Sequence, residues 1–195
     1  MEADFPGSEK KEEVISLKKR FGAFLCVLLS VLLCGSLWAA PVSDQKLTEE
    51  RCAVLWIGGR QLGDMVIGAE GHLVFQLVDR VLAGRIYSQP DNFPEQIVWN
   101  AQYIDKASKA KCDLVILVYR AVNRWTFDPA LLKVNDEPLE KKYVLSSLLS
   151  AETGNLPKGT EDVLAFGVPR TLTRPGKTLK FSYGDLSVTL NIPKR

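Results

Sequence analysis

The sequence predicts a mainly β exported domain built as an antiparallel β-sandwich, with one or two short helices. Three observations carry that expectation. A run of 20 uncharged residues at 21–40 follows Lys18, Lys19 and Arg20. Apolar runs of five to seven residues, such as 52–57 and 113–119, are rich in β-branched and aromatic residues. From Arg124 onward, Pro and Gly interrupt the chain at short intervals, which is the spacing of a sandwich or barrel.

Residues 1–20 form a polar extension with five Lys or Arg and five Asp or Glu. They are an awkward prelude to an export signal, and translation starting near Val14 would remove the anomaly. The segment 21–40 has a positive flank, an apolar centre and a small-residue end, which together make a secretory signal peptide, with cleavage after Ala39 or Ala40. Its length also suffices to span a hydrocarbon core of about 30 Å, so a retained membrane anchor is the rival. Cys34 does not make a lipoprotein signal, because bulky Leu33 precedes it.

Residues 45–195 then constitute the exported domain, with 41–51 as its polar lead-in. Cys52 and Cys112 fall within it, and an oxidising compartment makes them a disulfide candidate. Closing that loop would stabilise the fold by ~4 kcal/mol. Two buried thiols are the plainer alternative.

Residues 52–57 read as a strand buried on both faces and ended by Gly58-Gly59. The stretch 64–87 is ambiguous. It fits a hairpin around Glu70-Gly71, yet Val74, Leu77, Val78, Val81 and Leu82 have helical spacing; a strand pair followed by a helical turn through 79–84 satisfies both. Pro90 and Pro94 fix a loop. Ile97, Trp99, Ala101 and Tyr103 alternate with their neighbours and predict a strand, after which 106–111 turns the chain. Residues 113–119 form the clearest strand. In the last hairpin Gly184-Asp185 turns the chain, which sets 183 opposite 186, 181 opposite 188 and 179 opposite 190. Lys180, Ser182, Ser187 and Thr189 should then face solvent.

Two cysteines in an exported β-domain invite comparison with immunoglobulin-like or related sandwiches. The cysteine separation fits an inter-sheet bridge. Trp56 comes too soon after Cys52, however, and Ala110 stands where that pattern places a tyrosine. Nothing is carried over from that family.

No constellation for catalysis is visible. G-x-S-x-G, H-E-x-x-H, C-x-x-C and G-x-x-x-x-G-K-[ST] are all missing from the sequence. His72 is the sole histidine and reads as a hairpin surface residue beside Glu70. Gly58-Gly59-Arg60 reads as a strand-ending turn rather than a phosphate loop. Glu49-Glu50 and Glu161-Asp162 read as solvated surface, as do Lys106, Lys109 and Lys111. No cofactor or metal is expected.

A binding surface is the remaining possibility. Between 170 and 195 stand six cations (Arg170, Arg174, Lys177, Lys180, Lys194 and Arg195) against only Asp185. Such a bias suits an anionic partner, although charged residues on a strand face also serve to discourage edge pairing. Trp56 and Trp99 lie within strand patterns and read as core. Trp125, beside Arg124 at a strand end, reads as the exposed aromatic.

The function expected is therefore that of a non-enzymatic binding or assembly module of a bacterial envelope, periplasmic or extracellular. Its partner would be an envelope protein or an anionic surface component. A net charge of +2 argues against nucleic acid. Membrane contact is expected only through 21–40, if that segment is retained. The rivals are a secreted hydrolase of envelope polymers and a membrane-anchored structural subunit.

Overall fold

The computed structural model describes residues 43–146 and 153–194. The polar extension and the apolar segment 21–40 lie outside the described residues, as does Arg195. Among the described residues no helix is long and apolar enough to cross a membrane.

The polar lead-in contains a helix, α1 (Asp44–Glu49), started by Ser43, whose side chain accepts from the Lys46 amide. Two long strands follow, β1 (Cys52–Leu62) and β2 (Met65–Val78), paired antiparallel. The turn between them falls at Gly63-Asp64, where Gly63 has φ 59°. The hairpin expected around Glu70-Gly71 is not there, because β2 runs straight through that dipeptide. Gly71 is small for a packing reason. A Cβ on it would stand 2.7 Å from the Trp125 indole. Of the residues with helical spacing, Val74, Leu77 and Val78 lie in β2, and the helical turn expected through 79–84 opens α2 (Arg80–Ser88), with Asp79 accepting from the Leu82 amide.

The strand expected over 97–104 is also overturned. The chain there forms α3 (Glu95–Asn100), a short 3₁₀ turn at Ala101–Tyr103 and α4 (Ile104–Lys109). Ile97, Trp99, Ala101 and Tyr103 do alternate, but Ile97, Val98, Ala101 and Ile104 have helical spacing, and it is these four that pack on one hydrophobic layer. Pro94 precedes the helix and Glu95 occupies its first turn, as helix starts favour.

The remaining strands are β3 (Cys112–Ala121), β4 (Trp125–Phe127), β5 (Leu132–Val134), β6 (Glu137–Pro138), β7 (Gly154–Leu156), β8 (Glu161–Pro169), β9 (Thr178–Tyr183) and β10 (Leu186–Asn191). They form three sheets in the orders β1-β2-β3-β8, β10-β9-β5-β6 and β4-β7, and every pairing is antiparallel. The β9–β10 register is the one expected, with Tyr183 opposite Leu186, Phe181 opposite Val188 and Leu179 opposite Leu190. Ser182 departs from expectation by being buried.

The first sheet is covered on its inner face and on part of its outer face. Its inner face meets the second sheet, with Phe75 stacked on Phe181 at 4.4 Å, and the small β4–β7 sheet contributes Trp125 and Phe127 to the same core. Each such aromatic stabilises the fold by roughly 1.5–3 kcal/mol through burial. Part of the outer face is covered by α2, α3 and α4, through Leu82, Ile86, Ile97 and Ala107 against Leu114, Ile116 and Ala165. Strand β3 lies between the two cores, which explains why it reads as apolar on both faces. Strand β1 is buried on one face only, so its double-sided burial is corrected.

The disulfide is corrected too: Cys52 and Cys112 are free thiols. Cys52 lies opposite Gln76, and Gln76 lies opposite Ile116, four residues along β3 from Cys112. Two strand spacings across and four residues along separate their Cα atoms by roughly 16 Å, far beyond the ~7 Å a bridge tolerates. Burial raises the pKa of both thiols, and Cys112 donates weakly to the Ala110 carbonyl at 3.4 Å.

Candidate functional site

The β1–β2 pair is longer than the sheet that carries it. Strand β3 pairs with β2 only over Gly71–Val78, whereas β1 and β2 remain paired to Leu62 and Met65. The excess forms a two-stranded arm. Asn123 anchors its root, donating from its side chain to the Ala69 carbonyl at 2.8 Å and from its amide to the Glu70 carbonyl at 3.1 Å.

A bulge between Ile57 and Gly58 marks where β1 enters the arm. Gly59 (φ 79°) has no room for a side chain, since a Cβ would stand 2.8 Å from the Ala69 nitrogen and 2.9 Å from the Ile67 carbonyl. The Gly58-Gly59 pair therefore bends a continuing strand rather than ending it. Beyond the bulge, Leu62, Met65 and Ile67 are exposed, Met65 at 66%. Arg60 and Asp64 are the only charged residues between Gly59 and Gly68. A two-stranded ribbon of this kind is marginal alone in water, and both of its edges have unpaired backbone groups.

At the root of the arm the outer sheet face is open. Register places Trp56, His72, Arg120 and Glu161 side by side across β1, β2, β3 and β8. The Trp56 ring lies 4.2 Å from the His72 ring at an interplanar angle of 32°, and Trp56 is 39% exposed. Burial first, and then the nearby Arg120 guanidinium, push the His72 pKa down; Glu161 acts weakly the other way. Gln96 of α3 donates to Glu161 Oε1 at 2.7 Å, so the helix borders the row.

The residues singled out from the sequence are placed elsewhere. Trp125 is 5% exposed and packs edge-on against Tyr183, so its expected exposure is corrected. Among the described residues Trp56 and Trp99 are the exposed tryptophans, which reverses the expectation for Trp56, Trp99 and Trp125. Arg124 is exposed next to the buried Trp125. The basic residues do not act as one set. Arg170 pairs with Asp113 at 3.1 Å and Lys180 with Asp136 at 2.7 Å. Lys177 donates to the Thr171 carbonyl at 3.3 Å, and Arg174 is exposed.

A cleft of about 360 Å³ lies between α2, α4 and the start of β3. Its acids Asp79 and Asp113 are occupied structurally. Asp79 caps α2 and holds Arg51, while Asp113 accepts from Arg170 and Thr173. Asp105, also lining it, accepts from the Tyr87 hydroxyl at 3.4 Å. Among the described residues no three His, Cys, Asp or Glu side chains group as metal ligands.

The arm was missed in the sequence because the hairpin turn was placed at Glu70-Gly71, and the open row because its four residues meet only through strand register. The available signal was the Gly63-Asp64 pair, which splits one apolar run from another. No family model, curated protein or solved structure matches the chain.

Proposed function

We propose that the chain is an exported bacterial envelope protein acting as a non-enzymatic binding or assembly module, and that it engages a protein partner through the β1–β2 arm. The observation that carries this reading is the arm itself: exposed Leu62, Met65 and Ile67 on a ribbon whose edges are open. Strand addition at such an edge supplies main-chain hydrogen bonds, and the apolar tip supplies buried area. The face-to-face contact of the two larger sheets supports a sandwich-related architecture, a scaffold rigid enough to present the arm. Export rests on the sequence of 21–40.

Hydrogen exchange of the full chain with envelope extract from its host tests the reading. Amides of residues 59–68 should gain protection, and a Met65→Asp, Ile67→Asp double variant should remove that gain. Exchange in the arm that the extract leaves unchanged would overturn it.

A further inference from the structure

We propose that the open row Trp56–His72–Arg120–Glu161 is a binding shelf for an uncharged oligosaccharide. Directly opposed residues of an antiparallel sheet share a face with side chains about 5 Å apart, so these four span roughly 15 Å, the length of a short oligosaccharide.

Each member suits a sugar. A pyranose has an apolar C–H face and a rim of hydroxyls. Trp56 offers a partly exposed indole, and its tilted contact with the His72 ring restrains it beforehand, which lowers the entropic cost of binding. A neutral imidazole provides one donor and one acceptor, the pairing a hydroxyl needs. Arg120 is exposed and has no hydrogen bond or ion pair among the described residues, leaving its guanidinium donors open. Glu161 commits Oε1 to Gln96, which holds the carboxylate in place with Oε2 open to accept. A donor and an acceptor on adjacent strands match two neighbouring hydroxyls.

The charge on the shelf selects among glycans. Arg120 faces Glu161 across the β3–β8 pair, and the Glu70 side chain lies over Gly58 on the same sheet face. Two acids against one cation disfavour a polyanion and favour a neutral ligand. Val54 and Val74 border the row with partly exposed apolar surface that suits the edge of a ring. The shelf is separate from the arm tip, so it stands or falls independently of the protein partner proposed above.

Fluorine NMR of the full chain labelled with 5-fluorotryptophan, in a detergent without a sugar headgroup, tests the assignment. The probes are cellotetraose and chitotetraose, with dextran sulfate as the charged comparison. The Trp56 resonance, assigned by its loss in Trp56→Phe, should shift saturably with at least one neutral sugar. Trp99, 68% exposed and one helical turn from Gln96 at the border of the row, should shift much less than Trp56. Arg120→Gln and Glu161→Gln should each weaken binding about tenfold, as loss of a charge-assisted hydrogen bond predicts. An unmoved Trp56 signal with both sugars would overturn the proposal. So would equal shifts at Trp99, tighter binding of dextran sulfate, or unchanged affinity in the two polar variants.

Discussion

Arg51 Nε donates to Asp79 Oδ2 at 2.9 Å, while Oδ1 of the same carboxylate accepts from the Leu82 amide at 2.9 Å. One aspartate thus starts α2 and neutralises a buried arginine. Arg51 also donates from Nη1 to the Leu47 carbonyl at 3.0 Å, which ties the end of α1 to the start of α2. Breaking such a pair from one side leaves a buried charge whose remaining acid, Glu50, stands farther off at 4.0 Å. Asp79→Ala should destabilise the domain by about 3–5 kcal/mol. Asp79→Asn keeps an acceptor for the cap and should recover part of that loss. Urea unfolding midpoints of the two variants check the order.

Gly71 and Trp125 are a second coupled pair. Because a Cβ at 71 meets the indole at 2.7 Å, Gly71→Ala should cost about 1–3 kcal/mol through overpacking. Trp125→Phe removes part of the obstacle, so the double variant should lose less than the two single losses together. A double-mutant cycle by denaturant unfolding measures the difference.

The thiols give a redox prediction. Peptide mapping after purification without reductant should find Cys52 and Cys112 unlinked, given their separation in the sheet. Their raised pKa values keep thiolate scarce, so reaction with a thiol reagent should be slow in the native state and fast after unfolding.

His72 sets a pH dependence. Its folded pKa lies below the ordinary imidazole value of about 6.5, so above pH 6.5 it is neutral in both folded and unfolded chains. As pH falls below 6.5, the unfolded chain takes up a proton that the folded chain resists. Stability should therefore decline through that window, toward the depressed folded value. His72→Gln should flatten the decline in unfolding midpoints measured between pH 7.5 and 5.

How much of this was legible depended on which interactions are local. The β9–β10 register could be read because a two-residue turn fixes pairing and alternation fixes the face. Strand β3 was legible from its β-branched apolar run. The segment 97–104 was not, because the alternation of Ile97, Trp99, Ala101 and Tyr103 competes with the helical spacing of Ile97, Val98, Ala101 and Ile104, and only the sheet they cover decides between them. The tryptophans were misassigned for a related reason. Trp56 alternates like a core residue, but the helices cover only part of its sheet face, while Trp125 is drawn inward by Gly71 from a distant strand. Arg120 and Glu161 sit 41 positions apart in sequence, so only the β3–β8 register brings them together.

The stack of Phe75 on Phe181 has a consequence for the order of events during synthesis. Strands β1, β2 and β3 can assemble once residue 121 has emerged, but the aromatic that covers their inner face is encoded more than a hundred residues after Phe75. Until the last two strands arrive, the nascent meander displays Phe75, Leu77 and Leu117 to its surroundings. Contacts of such long sequence separation slow folding and leave a sticky intermediate. A chain made this way benefits from being held unfolded until its C-terminus is complete, and passage through an export channel in extended form would impose that delay.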